Sequence, residues 1–582
     1  MKKYFTSSVL VAATVLWACN DFLDIKPEGS LIESSLYTKE GIESLLIGTY
    51  AILDGTSNGY GNFQATSDWP AASSNWIYGS ITGGDAHKGS ERFDVEDINP
   101  IETYEVLPTS DFLNQKWRAV YEGVSRANEV LKILPNVTAL TSKDSTRIQA
   151  EARVLRGIFH FEARKMWEMV PYVDELADPN VVKNDKDIWS LIQADLKFGY
   201  DNLPESMDGI GRINKWVAGA FYAKALMFEG KYSDAKVVLE NVFTSGKNPV
   251  GVKFQLAPSF QDNFNDVEKE KMEESVFAFQ YSVKDKSNGF NGSWGELMNF
   301  VNNGPGGCCG FFQPSSELVN SFRTDANGLP LLDGSYNDGQ NPVKDDEGIE
   351  SDDNSFVPDT GNLDPRLDVT VGRRGIPYLD WAVHPGKEWI RDQAYAGPYS
   401  PKKNVYMKSQ QGDVTDEGSW APGVNSINFK VIRFADIILW LAECEVEVGS
   451  PSKAREYVNM IRTRAANPAG FVKAEDGVTD AAKYFIKAYP DSGYPFDTKE
   501  NARKAVHFER KLELAMEGHR FFDLVRWNEA AATINSYLSY EKDKRKYMKD
   551  AVFQSEKDEY YPIPQHQIDL MGVDILYPNR NQ

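Results

Sequence analysis

Histidine and cysteine are scarce in this chain, with six and four among 582 residues. His87, His160, His384, His507, His519 and His566 lie far apart, and no two have the spacing that sets a metal on one helix face. HExxH, GxGxxG and CxxC are missing. Gly83 to Ser90 reads GGDAHKGS, but Lys precedes Gly and no apolar strand leads in, so a phosphate loop is excluded. After residue 18 no stretch is apolar enough to span a bilayer. Positive charge is short too: 63 Lys and Arg against 85 Asp and Glu give −22, which argues against nucleic acid or anionic lipid as a partner. The expectation is a binding protein without enzyme activity. Carboxylate pairs of a glycoside hydrolase stay open, because a sequence does not show their separation.

Aromatic residues are plentiful, at 12%: 13 Trp, 27 Tyr and 31 Phe. The surplus suits a sugar-binding surface as well as a core. Residues 1–18 resemble a secretory signal, with Lys2 and Lys3 ahead of an apolar run from Val9 to Ala18. Leu16-Trp17-Ala18-Cys19 resembles a lipoprotein cleavage box, although Trp17 is bulky for its place. Acylation of Cys19 would anchor the chain without a membrane helix, at about 0.8 kcal/mol per buried methylene. Cys444 lies in an apolar helical pattern and reads as a buried small hydrophobe. Cys308 and Cys309 are adjacent, and either close a vicinal disulfide with a small apolar face or stay free thiols.

Hydrophobic spacing predicts helices over 31–53, 114–134, 147–169, 187–203, 215–229, 232–243, 434–448 and 452–464. Ala223, Gly230 and Ala235 recur at the same spacing as Ala442, Gly449 and Ala454. That repeat is similar to a tetratricopeptide hairpin, so the fold class expected is mainly α, a superhelix of helical hairpins with a large loop-rich insertion. Residues 19–250 form an N-terminal region with hairpins. Residues 251–582 hold the insertion (251–428) and the final helical scaffold. Within the insertion, 275–281 reads as a strand and 317–322 as a helical turn or two.

Glu509 to Trp527 (ERKLELAMEGHRFFDLVRW) has helical spacing, with apolar rows on more than one face. It reads as one helix buried among others. Its charges are expected to pair at i,i+3, as Arg510–Glu513, Glu517–Arg520 and Asp523–Arg526. Gly518 in its interior predicts close approach of another helix. This stretch resembles the C-terminal signature of the SusD/RagB family. Tyr121 to Asn128 (YEGVSRAN), Glu151-Ala152-Arg153 through Pro171-Tyr172-Val173, Asp364-Pro365-Arg366-Leu367 and Tyr560-Tyr561-Pro562-Ile563-Pro564 resemble further family motifs. The resemblance implies an outer-membrane, surface-facing lipoprotein. Such a protein binds oligo- or polysaccharide and delivers it to a SusC-like TonB-dependent transporter. Relatives of this family that capture peptide or protein are the alternative.

Loops on a rigid scaffold are where binding residues gather. Aromatic faces suit the C–H face of a sugar, and Asp, Asn and Arg suit its hydroxyls. The candidate ligand-binding residues are therefore Asp68, Trp69, Trp76, Tyr78, Trp294, Cys308, Cys309, Phe311, Arg391 and Tyr395. Phe290, Phe312, Trp381 and Trp389 lie in the same loops, and Arg366 reads as structural. No cofactor is expected. Asp345, Asp346, Glu347, Glu350, Asp352 and Asp353 could hold a structural calcium ion but lack EF-hand spacing, and a solvated loop is the simpler reading.

Overall fold

Ser110, Thr141, Asn214 and Ser450 each open a helix by accepting a backbone N–H of the first turn on the side chain. That satisfies a donor the helix leaves open. In the computed structural model, residues 36–55, 69–266, 273–287, 289–416 and 424–579 are described. Among the described residues, helices of seven residues or more before the insertion are α1 (Lys39–Tyr50), α2 (Asp111–Ile133), α3 (Ser142–Trp167), α4 (Trp189–Asn202), α5 (Lys215–Phe228) and α6 (Tyr232–Ser245). After the insertion come α7 (Phe434–Val448), α8 (Pro451–Ala465), α9 (Lys499–Glu513), α10 (Arg520–Arg526), α11 (Ala530–Glu541) and α12 (Gln565–Met571). The chain is mainly helical, as its periodicity predicts. Of the predicted first helix, residues 31–35 lie outside the described residues.

Each helix from α2 to α8 packs on the next, and α6 packs on α7 across the whole insertion. Ala223, Ala235, Ala442 and Ala454 are fully buried where the hairpins meet. Their two turn glycines act differently. Gly230 takes a left-handed φ of +72°, whereas a Cβ on Gly449 would lie 1.8 Å from the Glu445 carboxylate. Among the described residues strands are few and short, in four antiparallel pairs: β1 (Ala86–Gly89) with β3 (Phe311–Pro314), β2 (Ser275–Ala278) with β8 (Lys430–Arg433), β4 (Val371–Gly372) with β7 (Ser400–Pro401), and β5 (Pro377–Tyr378) with β6 (Ala382–Val383).

The stretch 509–527 is not one helix. α9 ends at Glu513, the chain turns through Met516 (φ +64°) and Gly518 (φ +75°), and α10 restarts at Arg520. Of the expected pairs only Asp523–Arg526 forms, at 2.8 Å. The other charges reach across the fold. Arg433 holds Glu274 at 2.6 Å, Glu513 at 3.0 Å and Glu517 at 2.8 Å. Arg366 holds Asp364 and Glu509 at 2.7 Å and Glu513 at 3.0 Å. Arg464 reaches Glu274 and Glu513, Arg462 reaches Glu509, and Lys403 reaches Glu517. Five carboxylates thus face five cations, all buried. Burial works to raise Glu513 and Glu517. The cations around Glu513 (Arg464, Arg433, Arg366) and around Glu517 (Arg433, Lys403) outweigh it and hold both near about 2.

Gly518 does mark a close approach, but to a turn rather than a helix. Trp76–Ile81 form a fully buried π-helical turn. A Cβ on Gly518 would lie 1.9 Å from the Ser74 carbonyl oxygen, and one on Gly79 would lie 1.9 Å from that of Gly518. The Gly518 N–H donates to Ser80 Oγ at 2.9 Å and the Met516 N–H to Asp85 Oδ2 at 3.0 Å. The C-terminal signature therefore clamps the 74–85 turn, and that turn leads directly into β1.

His87 on β1 is fully buried between Glu102 (3.0 Å) and Glu541 (3.4 Å), with Tyr547 Oη at 3.2 Å and the Tyr537 ring alongside. Burial alone would lower its pKa, but the two carboxylates outweigh that and raise it above 6.5. A raised imidazole stabilises the fold fully below pH 6.5, and the gain is lost as pH climbs through the folded value. His87→Gln should therefore lower the melting temperature most near pH 5.5–6 and progressively less toward pH 9. A constant deficit across that range would show that the imidazolium contributes nothing.

Candidate functional site

The insertion returns to the N-terminal half at the β1–β3 pair, where Gly89 lies opposite Phe311. Just before β3, the sulfur atoms of Cys308 and Cys309 are bonded to each other. Cys309 N–H donates to Met298 O at 3.1 Å and Gly310 N–H to Phe300 O at 2.8 Å. Cys309 is buried, and Cys308 is partly exposed. Trp294 and Cys308 pack on the same small support, Leu297 and Val424. Trp294 Nε1 donates to Gly289 O at 2.7 Å, which sets the indole's orientation.

Gly310, the next residue after the disulfide, is buried close to three polar residues. A Cβ there would lie 3.6 Å from Asn302 Cβ and 3.9 Å from Arg391 Cβ and Ser90 Cα. Arg391, with 36% of its side chain exposed, donates to Ser90 Oγ at 3.0 Å, to Asp94 at 2.6 Å and to Glu91 at 3.0 Å. Lys88 supports this turn from below. Its Nζ donates to the carbonyls of Glu91 (2.9 Å), Arg92 (3.2 Å) and Asp94 (2.6 Å). Burial brings its pKa down to about 8. Lys88 is thus a strut for the 91–94 turn. Phe93 at the tip of that turn is 74% exposed, and Phe290, near Trp294, is 39% exposed. Trp294 and Cys308 thus share one support, Arg391 pairs with the turn that carries Phe93, and Phe290 lies shortly before Trp294 in the chain.

Of the residues expected at the site, Trp294 and Cys308 share a support and Arg391 lies close to Gly310. Four other candidates are corrected to structural roles, because burial leaves their faces no room for a ligand. Trp76 and Tyr78 are buried in the π-helical turn. Trp76 Nε1 donates to Gly295 O at 3.0 Å, and Tyr78 Oη donates to Phe112 O at 3.2 Å. Phe311 packs edge-on to Trp76 in the core. Tyr395 lies against Tyr547 at 4.6 Å and donates to Asn99 Oδ1 at 2.8 Å. Phe312 and Trp389 are buried as well. Trp381 donates from Nε1 to Tyr406 O at 3.0 Å, in a small second core. Trp69 is partly buried against the main core. Asp68 and Cys19 lie outside the described residues. Phe93, Ser90, Glu91, Asp94 and Asn302 went unread. A lone Phe inside the charged run Glu91-Arg92-Phe93-Asp94 was the available signal for the first of them.

The acidic run in the insertion does not converge. Asp345 faces Lys544, Asp346 faces Arg374, Glu347 pairs with Arg545 and Glu350 with Lys387. Among the described residues no three His, Cys, Asp or Glu side chains gather as metal ligands. Gly55-Thr56-Ser57-Asn58-Gly59 spells a Gly-x-Ser-x-Gly, but Asp54 before it ends a helical turn, whereas a nucleophile elbow follows a strand.

Residues 273–579 match the sequence profile described as SusD family. The chain belongs to the SusD family. In this SusD-family chain residues 21–227 match a second profile, described as starch-binding associating with outer membrane. A SusD-like protein of Bacteroides ovatus is 22% identical, over 99% of this chain and 96% of that protein. A SusD superfamily protein from Bacteroides vulgatus superposes with a TM-score of 0.66 at 20% identity, covering 93% of this chain and 99% of that one. Surface glycan-binding protein A from Bacteroides thetaiotaomicron, solved with laminarihexaose, gives 0.61 at 19% identity, covering 93% and 99%. The SusD-family motif Asp364-Pro365-Arg366-Leu367 supplies Arg366 to the buried charge cluster, and Tyr561 of the closing motif meets Thr82 Oγ1 at 2.8 Å and donates to Tyr78 O at 3.0 Å. These motifs build the frame.

Proposed function

We propose that this chain captures uncharged oligo- or polysaccharide at the cell surface and passes it, unaltered, to a partner TonB-dependent transporter. The observation that carries the reading is the partly exposed pair Trp294 and Cys308 on one support, with the exposed Phe290 close by in the chain and Arg391 close to Gly310. A surface glycan-binding protein and its laminarihexaose complex share this fold, which supports the ligand class. Arg391 is already neutralised by Glu91 and Asp94, and the chain carries −22, so acidic polymers are repelled.

A panel of neutral hexasaccharides, including laminarihexaose and maltohexaose, tests the reading by calorimetry. At least one should bind, and Trp294→Ala should weaken it by about 0.5–1.5 kcal/mol, roughly two- to tenfold. No binding across the panel, or new reducing ends after incubation, would sink the proposal; peptide binding in its place would favour the family alternative. Cys19 is proposed as the acylated anchor to the outer membrane. Cys19→Ala should leave the protein in the soluble fraction, and continued sedimentation with membranes would reject that anchor. The transporter should co-purify from detergent extracts of the same membranes, and its consistent absence would separate capture from delivery.

A further inference from the structure

A disulfide stabilises chiefly by closing a loop in the unfolded chain, and the gain shrinks with the loop. Cys308 and Cys309 enclose no residues, so that gain is at its minimum. The turn is also held without the bond. Cys309 and Gly310 donate to Met298 O and Phe300 O, and Gly306, Gly307 and Gly310 all take left-handed φ values of +74° to +80° that suit a tight reversal. Stability therefore does not account for the pair.

Its position does suggest a role. Oxidation removes two S–H groups and leaves a small flat apolar surface. Cys308 carries that surface to partial exposure beside Trp294, on their shared support of Leu297 and Val424. Next in the chain, a Cβ on Gly310 would lie 3.6 Å from Asn302 Cβ and 3.9 Å from Arg391 Cβ and Ser90 Cα, so polar residues flank the pair. An apolar plate on the same support as an indole, with polar residues close by, suits a pyranose, whose C–H face is apolar and whose rim carries hydroxyls. We propose that the Cys308–Cys309 disulfide is itself a ligand-contacting platform, on which one sugar ring of a neutral oligosaccharide rests next to Trp294. The assignment rests on the glycan-capture reading above and adds which group the sugar touches.

The test is protection of the bond by its ligand. A water-soluble trialkylphosphine attacks one sulfur and displaces the other. Water then releases the phosphine oxide, and two thiols form, counted by mass after the phosphine is removed and the thiols are alkylated. With the hexasaccharide of the panel that binds, at saturation, reduction of the full chain should slow at least tenfold. A non-binding hexasaccharide should leave the rate unchanged. Separately, the double variant Cys308→Ser, Cys309→Ser should keep the wild-type melting temperature and bind three- to tenfold more weakly. Unchanged reduction in the presence of a hexasaccharide whose binding depends on Trp294 would overturn the platform while leaving glycan capture standing. If the panel is blank, capture itself fails. Should the double variant not fold, the protection rate on the unaltered protein decides alone.

Discussion

Arg433→Ala should destabilise the protein by about 3–5 kcal/mol, measured as a fall in the denaturant midpoint at constant slope. Arg433 is fully buried, and its guanidinium is bonded to Glu274, Glu513 and Glu517 and to the Glu513 carbonyl. Removing it leaves five buried carboxylates facing four cations. In a low-dielectric interior the cost is that of the stranded charge, not of the lost contact alone. Arg391→Ala is the contrast. Its ion pairs to Glu91 and Asp94 are open to solvent, so the change should stay within about 1 kcal/mol. Equal midpoints for Arg433→Ala and the parent would mean that the five-and-five cluster is not holding the frame.

Gly518→Ala should be comparably damaging. A left-handed residue with a Cβ costs about 1–2 kcal/mol, and crowding a packed interior costs about 1–3 kcal/mol more. Here the obstacle is backbone: the new methyl would sit 1.9 Å from the Ser74 carbonyl oxygen. Either the 514–519 bend or the 74–85 turn must move. The latter feeds β1, β1 pairs with β3, and β3 follows the disulfide. The prediction is a strongly reduced yield of folded protein and, in what folds, weakened saccharide binding despite a distance in sequence of some two hundred residues. Gly412→Ala, where no atom lies within 4 Å of the added methyl, should be neutral. A Gly518→Ala protein with the parent's midpoint would show the bend to be slack.

The helices were legible because burial imposes a 3.6-residue period. α2 to α8 fall within a few residues of the spacing. The break at 514–519 was not legible. Leu514, Phe521, Phe522 and Val525 keep helical spacing right through it, and only the tertiary demands of Gly518 and of the charges on Glu513 and Glu517 interrupt the backbone. Partners such as Arg366 and Arg433 lie far away in sequence, so i,i+3 pairing was the wrong rule for a buried helix. The candidate site was half legible for a related reason. A loop containing Trp76, Tyr78 and Gly79 has the same composition whether it faces water or folds inward. Trp294 and Cys308, set among glycines, are left partly exposed. Phe93 was missed because one Phe among charges gives no period at all.

The adjacency of α6 and α7 has a developmental consequence for the molecule. Their connecting excursion leaves and re-enters the stack at neighbouring helices, so its length hardly alters the ends it must join, and each doubling of such a detour adds only about 0.6 kcal/mol. The excursion can therefore grow or shrink by whole segments while the two helices it leaves and rejoins stay seated side by side.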